Sequence, residues 1–198
     1  YDILSCGLRF YPRCGWSKRT IGRSQLWATG DKKKALEFAE ALLTGGALPE
    51  SVGHFAGILS REDRVHAFVD HCRSIPIFYS INRDPALAAQ PSHLLANSDS
   101  RALDPVGVLE AAMAGYVLER DTIYQEIKQV EPGQILSWHG TRHPTIRKYF
   151  LYKKTLTYED DTATRSFLIN AINSAIDRTI AFAGSDPVWV PLSGGLDS

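Results

Sequence analysis

The sequence lacks an excess of either charge, since 22 Lys and Arg residues balance 22 Asp and Glu residues over 198 positions. A balanced chain has no overall field that would draw it to nucleic acid or to an anionic membrane, so neither is expected as a partner. It also lacks any apolar run near the roughly 20 residues that cross a bilayer, and no charged segment followed by an apolar stretch opens it. We therefore expect a cytoplasmic protein without a membrane segment.

Cysteine is scarce as well. Cys6, Cys14 and Cys72 are an odd number without metal-type spacing, which suits a reducing compartment better than a disulfide framework. Three histidines close in sequence, His54, His66 and His71, have no carboxylate or cysteine at a ligand spacing, so no metal site is predicted. We expect structural or incidental roles for all three cysteines.

What is present is an ordinary globular composition, 44% apolar and 22% charged, whose first part is rich in strand patterns. Helices are predicted over 32–43, between Asp31 and Gly45, and over 105–113, between Asp104 and Gly115. Consecutive strands over 53–59, 65–69 and 75–81 predict an antiparallel meander. The other predicted strands are 3–10, 20–27, 134–138 and 145–150.

The pattern changes after a polar linker at 151–161. A capping box at 157–160 precedes a long helix with an apolar stripe, which ends near Gly184. The apolar run 188–192 then predicts a buried strand of a parallel sheet. A helix, a buried strand and a glycine-rich turn open an α/β unit, so we predict two domains, 1–152 and 153–198.

The last six residues, Ser193-Gly194-Gly195-Leu196-Asp197-Ser198, form the motif most indicative of chemistry. A glycine-rich turn after a buried strand presents successive backbone N–H groups to phosphate oxygens, and serine hydroxyls add donors. The Gly-Lys-Ser/Thr of γ-phosphoryl transfer is absent, so the turn suits retention of a pyrophosphate leaving group. The alternative is a flexible Gly/Ser tail.

With that motif, several upstream segments give the chain a resemblance to the asparagine synthetase family. They are Gly53-His54-Phe55-Ala56, the run from Val69-Asp70 through Pro76 to Tyr79, Asp121 to Tyr124 followed by Pro132-Gly133-Gln134, and Tyr149-Phe150. Arg73 departs from the pattern because it replaces a glycine, so the turn there is expected to be built differently. Asp70 itself is interpreted as a turn-stabilising carboxylate.

The resemblance implies an α/β (α+β) protein. A domain of antiparallel sheets with flanking helices, like an Ntn hydrolase, would precede the first helix and strand of a doubly wound PP-loop domain. It further implies ATP and Mg²⁺, adenylation of a small-molecule or peptide carboxylate, release of pyrophosphate and formation of an amide with ammonia or another amine. The residues expected to bind ATP and pyrophosphate are Leu192, Ser193, Gly194, Gly195, Leu196, Asp197 and Ser198.

The glutaminase site of such enzymes is expected to be degenerate. The family uses an N-terminal cysteine and an Asn-Gly that stabilises the oxyanion, but Ala28-Thr29-Gly30-Asp31 stands where Asn-Gly-Glu would be. Thr29 thus replaces the amide donor before Gly30. Cys6 lies too close to Thr29 to serve as the nucleophile and is interpreted as an ordinary strand cysteine. We expect no glutaminase activity and assign no catalytic residue.

Two alternatives stay open. The enzyme could use an amine within its own substrate, as β-lactam synthetases and lasso-peptide cyclases do, or the chain could be a non-catalytic structural or partner-binding module derived from such an enzyme. Because the motif ends the sequence, the 198-residue segment alone is expected to be inactive. It could form a homo-oligomer or associate with a missing C-terminal part.

Overall fold

A computed structural model describes residues 1–49, 53–80, 85–96, 101–140, 143–153, 160–191 and 193–195. The chain divides into two compact units, Tyr1–Leu151 and Tyr152–Ser198. The division lies one residue from the predicted domain boundary. The structure confirms the mixed α/β class, with two sheets and four α-helices in the described residues.

The first unit holds both sheets. Its strands are β1 (Asp2–Ile3), β2 (Arg9–Tyr11), β3 (Ser17–Ile21), β4 (Ser24–Gly30), β5 (Phe55–Arg61), β6 (Arg64–Val69), β7 (Phe78–Ser80), β8 (Ala86–Ala88), β9 (Ile127–Gln129), β10 (Gln134–His139) and β11 (Thr145–Lys148). One sheet has six antiparallel strands in the order β11-β10-β6-β5-β4-β3. The other has five, in the order β1-β2-β8-β7-β9, with the β2–β8 pair parallel and the rest antiparallel.

The inner strands of the six-stranded sheet are buried on both faces. Trp27 belongs to the core that joins it to the five-stranded sheet, whereas its neighbour Ala28 belongs to the core on the opposite face, as strand alternation requires. Phe38 of helix α1 (Lys32–Thr44) packs into this second core, where it stacks on Phe68 at 4.7 Å. Burial on both faces explains why β5 reads as an almost continuous apolar run.

Local capping fixes the predicted helices. Asp31 accepts a hydrogen bond of 3.1 Å from the Lys34 amide at the start of α1, and Gly45 ends the helix at φ 68°. Asp104 likewise accepts from two amides at the start of α3 (Pro105–Ala114), which Gly115 ends at φ 81°. Both helix predictions are confirmed. The short helix α2 (Pro91–Leu95) was not predicted.

Three strand predictions are wrong in detail. The stretch 3–10 is broken by a short 3-10 helix (Ser5–Gly7), and 20–27 contains a hairpin turn at Gly22, which has a φ of 57°. Within the predicted strand 75–81, the described residues form a strand only at Phe78–Ser80, and position 81 lies outside the described residues. This strand pairs in the five-stranded sheet, so the meander ends after β6. The reason is the tight turn after Val69, which leads the chain from one sheet to the other.

The second unit contains helix α4 (Asp161–Ala183). Asp160 caps it by accepting hydrogen bonds from the Thr162 and Ala163 amides at 3.0 and 3.3 Å, and Gly184 follows the last turn. The long helix is therefore confirmed, but the capping box is wrong, because Asp160 is the N-cap and not the third helical residue after Thr157. Positions 157–159 lie outside the described residues. Large apolar side chains on α4 are exposed. They are Phe167, Leu168, Ile169, Ile172, Ile176, Ile180 and Phe182.

The predicted buried strand at 188–192 is wrong for the four residues that the structure describes, 188–191. They form no strand, and Trp189 is 87% exposed. A strand of a parallel sheet is stable only beside paired neighbours and under covering helices. Among the described residues of this unit, α4 is the only regular element, so the run has no strand to pair with.

Candidate functional site

The structure describes half of the predicted pyrophosphate-binding motif, Ser193 to Gly195. Gly194 adopts φ 77°, the left-handed conformation that glycine allows, and the Gly195 amide donates to the Ser193 hydroxyl oxygen at 3.4 Å. All three residues are exposed. The other predicted ATP-binding positions lie outside the described residues. They are Leu192, Leu196, Asp197 and Ser198. The described part thus has a local turn able to expose amide groups, but no complete site.

The predicted degenerate glutaminase positions lie at the end of β4. Thr29 is 9% exposed and lies on the same face as Trp27, toward the five-stranded sheet. Gly30 adopts φ 70°, and a Cβ atom there would collide with the His54 carbonyl oxygen and lie 2.7 Å from Ile75 Cδ1. The Asp31 amide donates a hydrogen bond of 2.7 Å to the same His54 carbonyl. Gly30 is therefore enclosed by backbone and by Ile75.

Cys6 lies in the short 3-10 helix (Ser5–Gly7), so its interpretation as a strand cysteine is wrong. The preceding residue fixes this helix to the six-stranded sheet, because the Ser5 amide donates to the Ser60 hydroxyl at 2.9 Å and the two hydroxyls lie 2.7 Å apart. Cys14 and Cys72 are exposed free thiols. No group of three metal-ligating side chains occurs within the described ranges.

Asp70 has the structural role predicted for it. It is 1% exposed, and its carboxylate accepts hydrogen bonds from the backbone amides of Phe55, Cys72 and Ser74 and from the Ser74 hydroxyl. Arg73, the residue that replaces the family's glycine, adopts φ 52°. The turn is thus built with the same left-handed conformation that a glycine would favour.

The Tyr149-Phe150 pair closes the first unit through packing. The Tyr149 hydroxyl donates to the Val69 carbonyl at 2.6 Å, and the His71 ring lies parallel to Phe150 with centroids 3.8 Å apart. Burial, followed by the electrostatic effects of Asp70 and Cys72, raises the pKa of Tyr149, so its hydroxyl stays protonated as a donor. These matched positions contribute to folding rather than to a reactive centre.

One polar cluster was missed by the sequence analysis. On the α1 side of the six-stranded sheet, His66 Nδ1 lies 2.8 Å from the Ser137 hydroxyl, across the β6–β10 pair. Arg64, Thr145 and His139 line a cavity of about 380 Å³ with them. The sequence contains no signal for this cluster, because His66 and Ser137 are 71 residues apart and meet only through strand register.

No family model matches the sequence, and no curated protein matches it at a significant level. The resemblance to asparagine synthetases therefore depends on the quoted residues alone. No helix in the described ranges is both long enough and apolar enough to cross a membrane.

Proposed function

We propose that this chain is the N-terminal part of an ATP-dependent, amide-forming enzyme similar to asparagine synthetases. The observation that carries the proposal is the order of a long helix, an apolar segment and the run from Ser193 to Ser198. The left-handed Gly194 supports it, since such a turn lets consecutive amides approach phosphate oxygens. The proposed substrates are ATP with Mg²⁺, a small-molecule or peptide carboxylate, and an amine.

The proposed chemistry has two steps. A carboxylate oxygen attacks the α-phosphorus of ATP, the bond to the bridging oxygen breaks, and pyrophosphate leaves as an acyl adenylate forms. The amine then attacks the acyl carbon, AMP leaves with the bonding electrons, and the amine loses a proton. The amides near Gly194 and the Ser193 hydroxyl would stabilise the negative charge of the departing pyrophosphate. Mg²⁺ would neutralise part of the same charge.

The first unit supports an enzyme that does not take ammonia from glutamine. Thr29 offers a hydroxyl where the family has an amide donor. Ile75 packs over Gly30, the residue that follows Thr29. We therefore propose free ammonia or an amine within the substrate as the acceptor. The latter would make the protein similar in reaction to β-lactam synthetases or lasso-peptide cyclases.

Exchange of radiolabelled pyrophosphate into ATP tests this proposal in the intact natural protein, with pools of amino acids, other carboxylates and peptides. We expect the exchange to require a carboxylate and to be weaker in Ser193→Ala. The control variant Ser174→Ala, at an exposed position of α4, is expected to leave the exchange unchanged. Exchange with equal rates in both variants would contradict the assigned turn. No exchange with any acid would favour the non-catalytic module instead.

The acceptor is tested separately by product mass with and without added ammonium. A product that forms only with ammonium identifies ammonia as the amine, and loss of water from the substrate without ammonium identifies an internal amine. Glutamate release from glutamine by the same protein would contradict the degenerate glutaminase site.

A further inference from the structure

The cluster around His66 occupies the outer end of the α1 face. His66, Ser137 and Thr145 pair across β6, β10 and β11 and form one row of side chains, because residues in register on antiparallel strands point the same way. Arg64 belongs to the adjoining row on one side and Arg147 to the adjoining row on the other. An arginine therefore stands in the row on each side of two hydroxyls and an imidazole, and of the two only Arg64 is in the lining of the cavity.

The polar row lies on the same face of the sheet as the core under α1, but α1 does not cover it. Phe68 on β6 and Ile135 on β10 pack under α1. His66 is two residues before Phe68, and Ser137 is two residues after Ile135, so both lie on the same face of the sheet as these apolar residues. A second cavity, of about 340 Å³, shares Arg64 and His66 with the first and is also lined by Leu42 and Leu43 at the end of α1. The polar row thus lies at the edge of a concave surface where the helix ends.

Arginines outnumber carboxylates around the cluster, because Arg61, Arg64 and Arg147 stand against Glu62 and Asp63, which line the second cavity. Glu62 is paired with Arg61 at 3.6 Å, and Asp63 lies 2.7 Å from His139. In the ranges that the structure describes, neither Arg64 nor Arg147 has an ion pair with a carboxylate. The positive field acts on His66, whose pKa is lowered first by burial and then by Arg64 and Arg147. An anion in the cavity would relieve this repulsion.

We propose that Arg64, Arg147, His66, Ser137 and Thr145 form a binding site for a small phosphate-class anion, either free phosphate or the phosphate of a monoester. Guanidinium groups bind phosphate oxygens through charge-assisted, often bidentate hydrogen bonds. The Ser137 hydroxyl supplies a neutral donor, and the Thr145 hydroxyl supplies a second one if it turns away from the Ser137 carbonyl, to which it donates at 3.3 Å. His66 has Nε2 in addition to the Nδ1 that contacts Ser137. The site lies on the face of the sheet opposite Thr29, so it is independent of the proposed amide-forming chemistry.

Proton NMR of the His66 imidazole tests the proposal in the 198-residue chain, with the resonance assigned by His66→Gln. The probes are inorganic phosphate and methyl phosphate, added against sodium chloride at equal ionic strength. Each is expected to shift the resonance saturably and to raise the pKa of His66, since a bound anion favours the charged imidazole. A response to phosphate alone identifies a site for the free ion, whereas equal responses identify a site that also accepts esters.

Arg64→Gln and Arg147→Gln are each expected to weaken binding about tenfold, because each removes charged hydrogen bonds to the anion. Arg19→Gln is the matched control. Arg19 is exposed on the same face of the same sheet, but it lies on β3, three strands or about 14 Å from β6. The absence of saturation with both probes, or equal affinities in all three variants, would overturn the proposal.

Discussion

The carboxylate of Asp70 accepts a hydrogen bond of 3.1 Å from the backbone amide of Phe55. Phe55 begins β5 and Asp70 follows β6, so the bond closes the open end of this strand pair. The same carboxylate holds the amides of Cys72 and Ser74 at 2.8 and 3.2 Å. One buried side chain therefore joins the end of the hairpin to the turn that leads into the second sheet.

Replacement of Asp70 by Asn is expected to destabilise the first unit by about 2–3 kcal/mol. The amide group has the size of the carboxylate, but its NH₂ end must face backbone donors that then lose their acceptor, and an unsatisfied buried donor costs about 1–3 kcal/mol. Urea unfolding followed by tryptophan fluorescence measures the change. Glu37→Gln, an identical chemical change at an exposed position of α1, is the control. Equal stability of the two variants would mean that Asp70 contributes no more than a surface carboxylate.

Alanine substitutions at Gly30 and Gly22 distinguish the cost of steric overlap from the cost of a left-handed backbone. Both have positive φ, 70° and 57°, but a Cβ at Gly22 meets nothing within 4 Å, whereas one at Gly30 meets the His54 carbonyl and Ile75. Gly22→Ala is expected to cost about 1 kcal/mol from the left-handed backbone alone. Gly30→Ala should cost a further 1–3 kcal/mol, roughly, because overpacking is added. Equal losses in thermal or urea unfolding would contradict the close packing at Gly30.

The features that could be predicted from the sequence are those that neighbouring residues decide. Asp31 and Gly45 bound α1 through hydrogen bonds and a φ value set within one turn of the helix. The caps of α3 and α4 follow the same local rules, so these helices end within one to three residues of their predictions. The role of Asp70 could also be predicted, because an Asp that stabilises its own turn accepts hydrogen bonds from backbone amides close ahead in sequence, here two and four residues on.

The features that were missed depend on distant partners. The segment at Phe78–Ser80 has a strand pattern, but its pairing with β8 and β9 is fixed by the contacts between the sheets and not by its own residues. His66 and Ser137 meet only through the register of β6 and β10. The apolar run at 188–191 has the composition of a buried strand, yet composition supplies no neighbouring strand.

Arg73 tests whether the turn after Asp70 prefers the glycine of the family pattern. Arg73→Gly and Arg73→Ala remove the same side-chain contacts, so their difference reports the cost of φ 52° for a residue with a Cβ. The glycine variant is expected to be more stable than the alanine variant by about 1 kcal/mol, since the left-handed region is strained for alanine. Differential scanning calorimetry measures the two midpoints. A more stable alanine variant would show that the turn relaxes out of this conformation.

The stability of the first unit should fall on acidification because of His66. Burial and the two nearby arginines lower its folded pKa below the ordinary value of 6.5, so the unfolded chain takes up a proton before the folded chain does. The stabilisation is complete above pH 6.5 and is lost as the pH falls from there to the folded pKa. His66→Gln should remove this component and flatten the free energy of unfolding over that interval, as urea titrations at successive pH values will show. An unchanged slope in the variant would mean that His66 is not held in its neutral form by the fold.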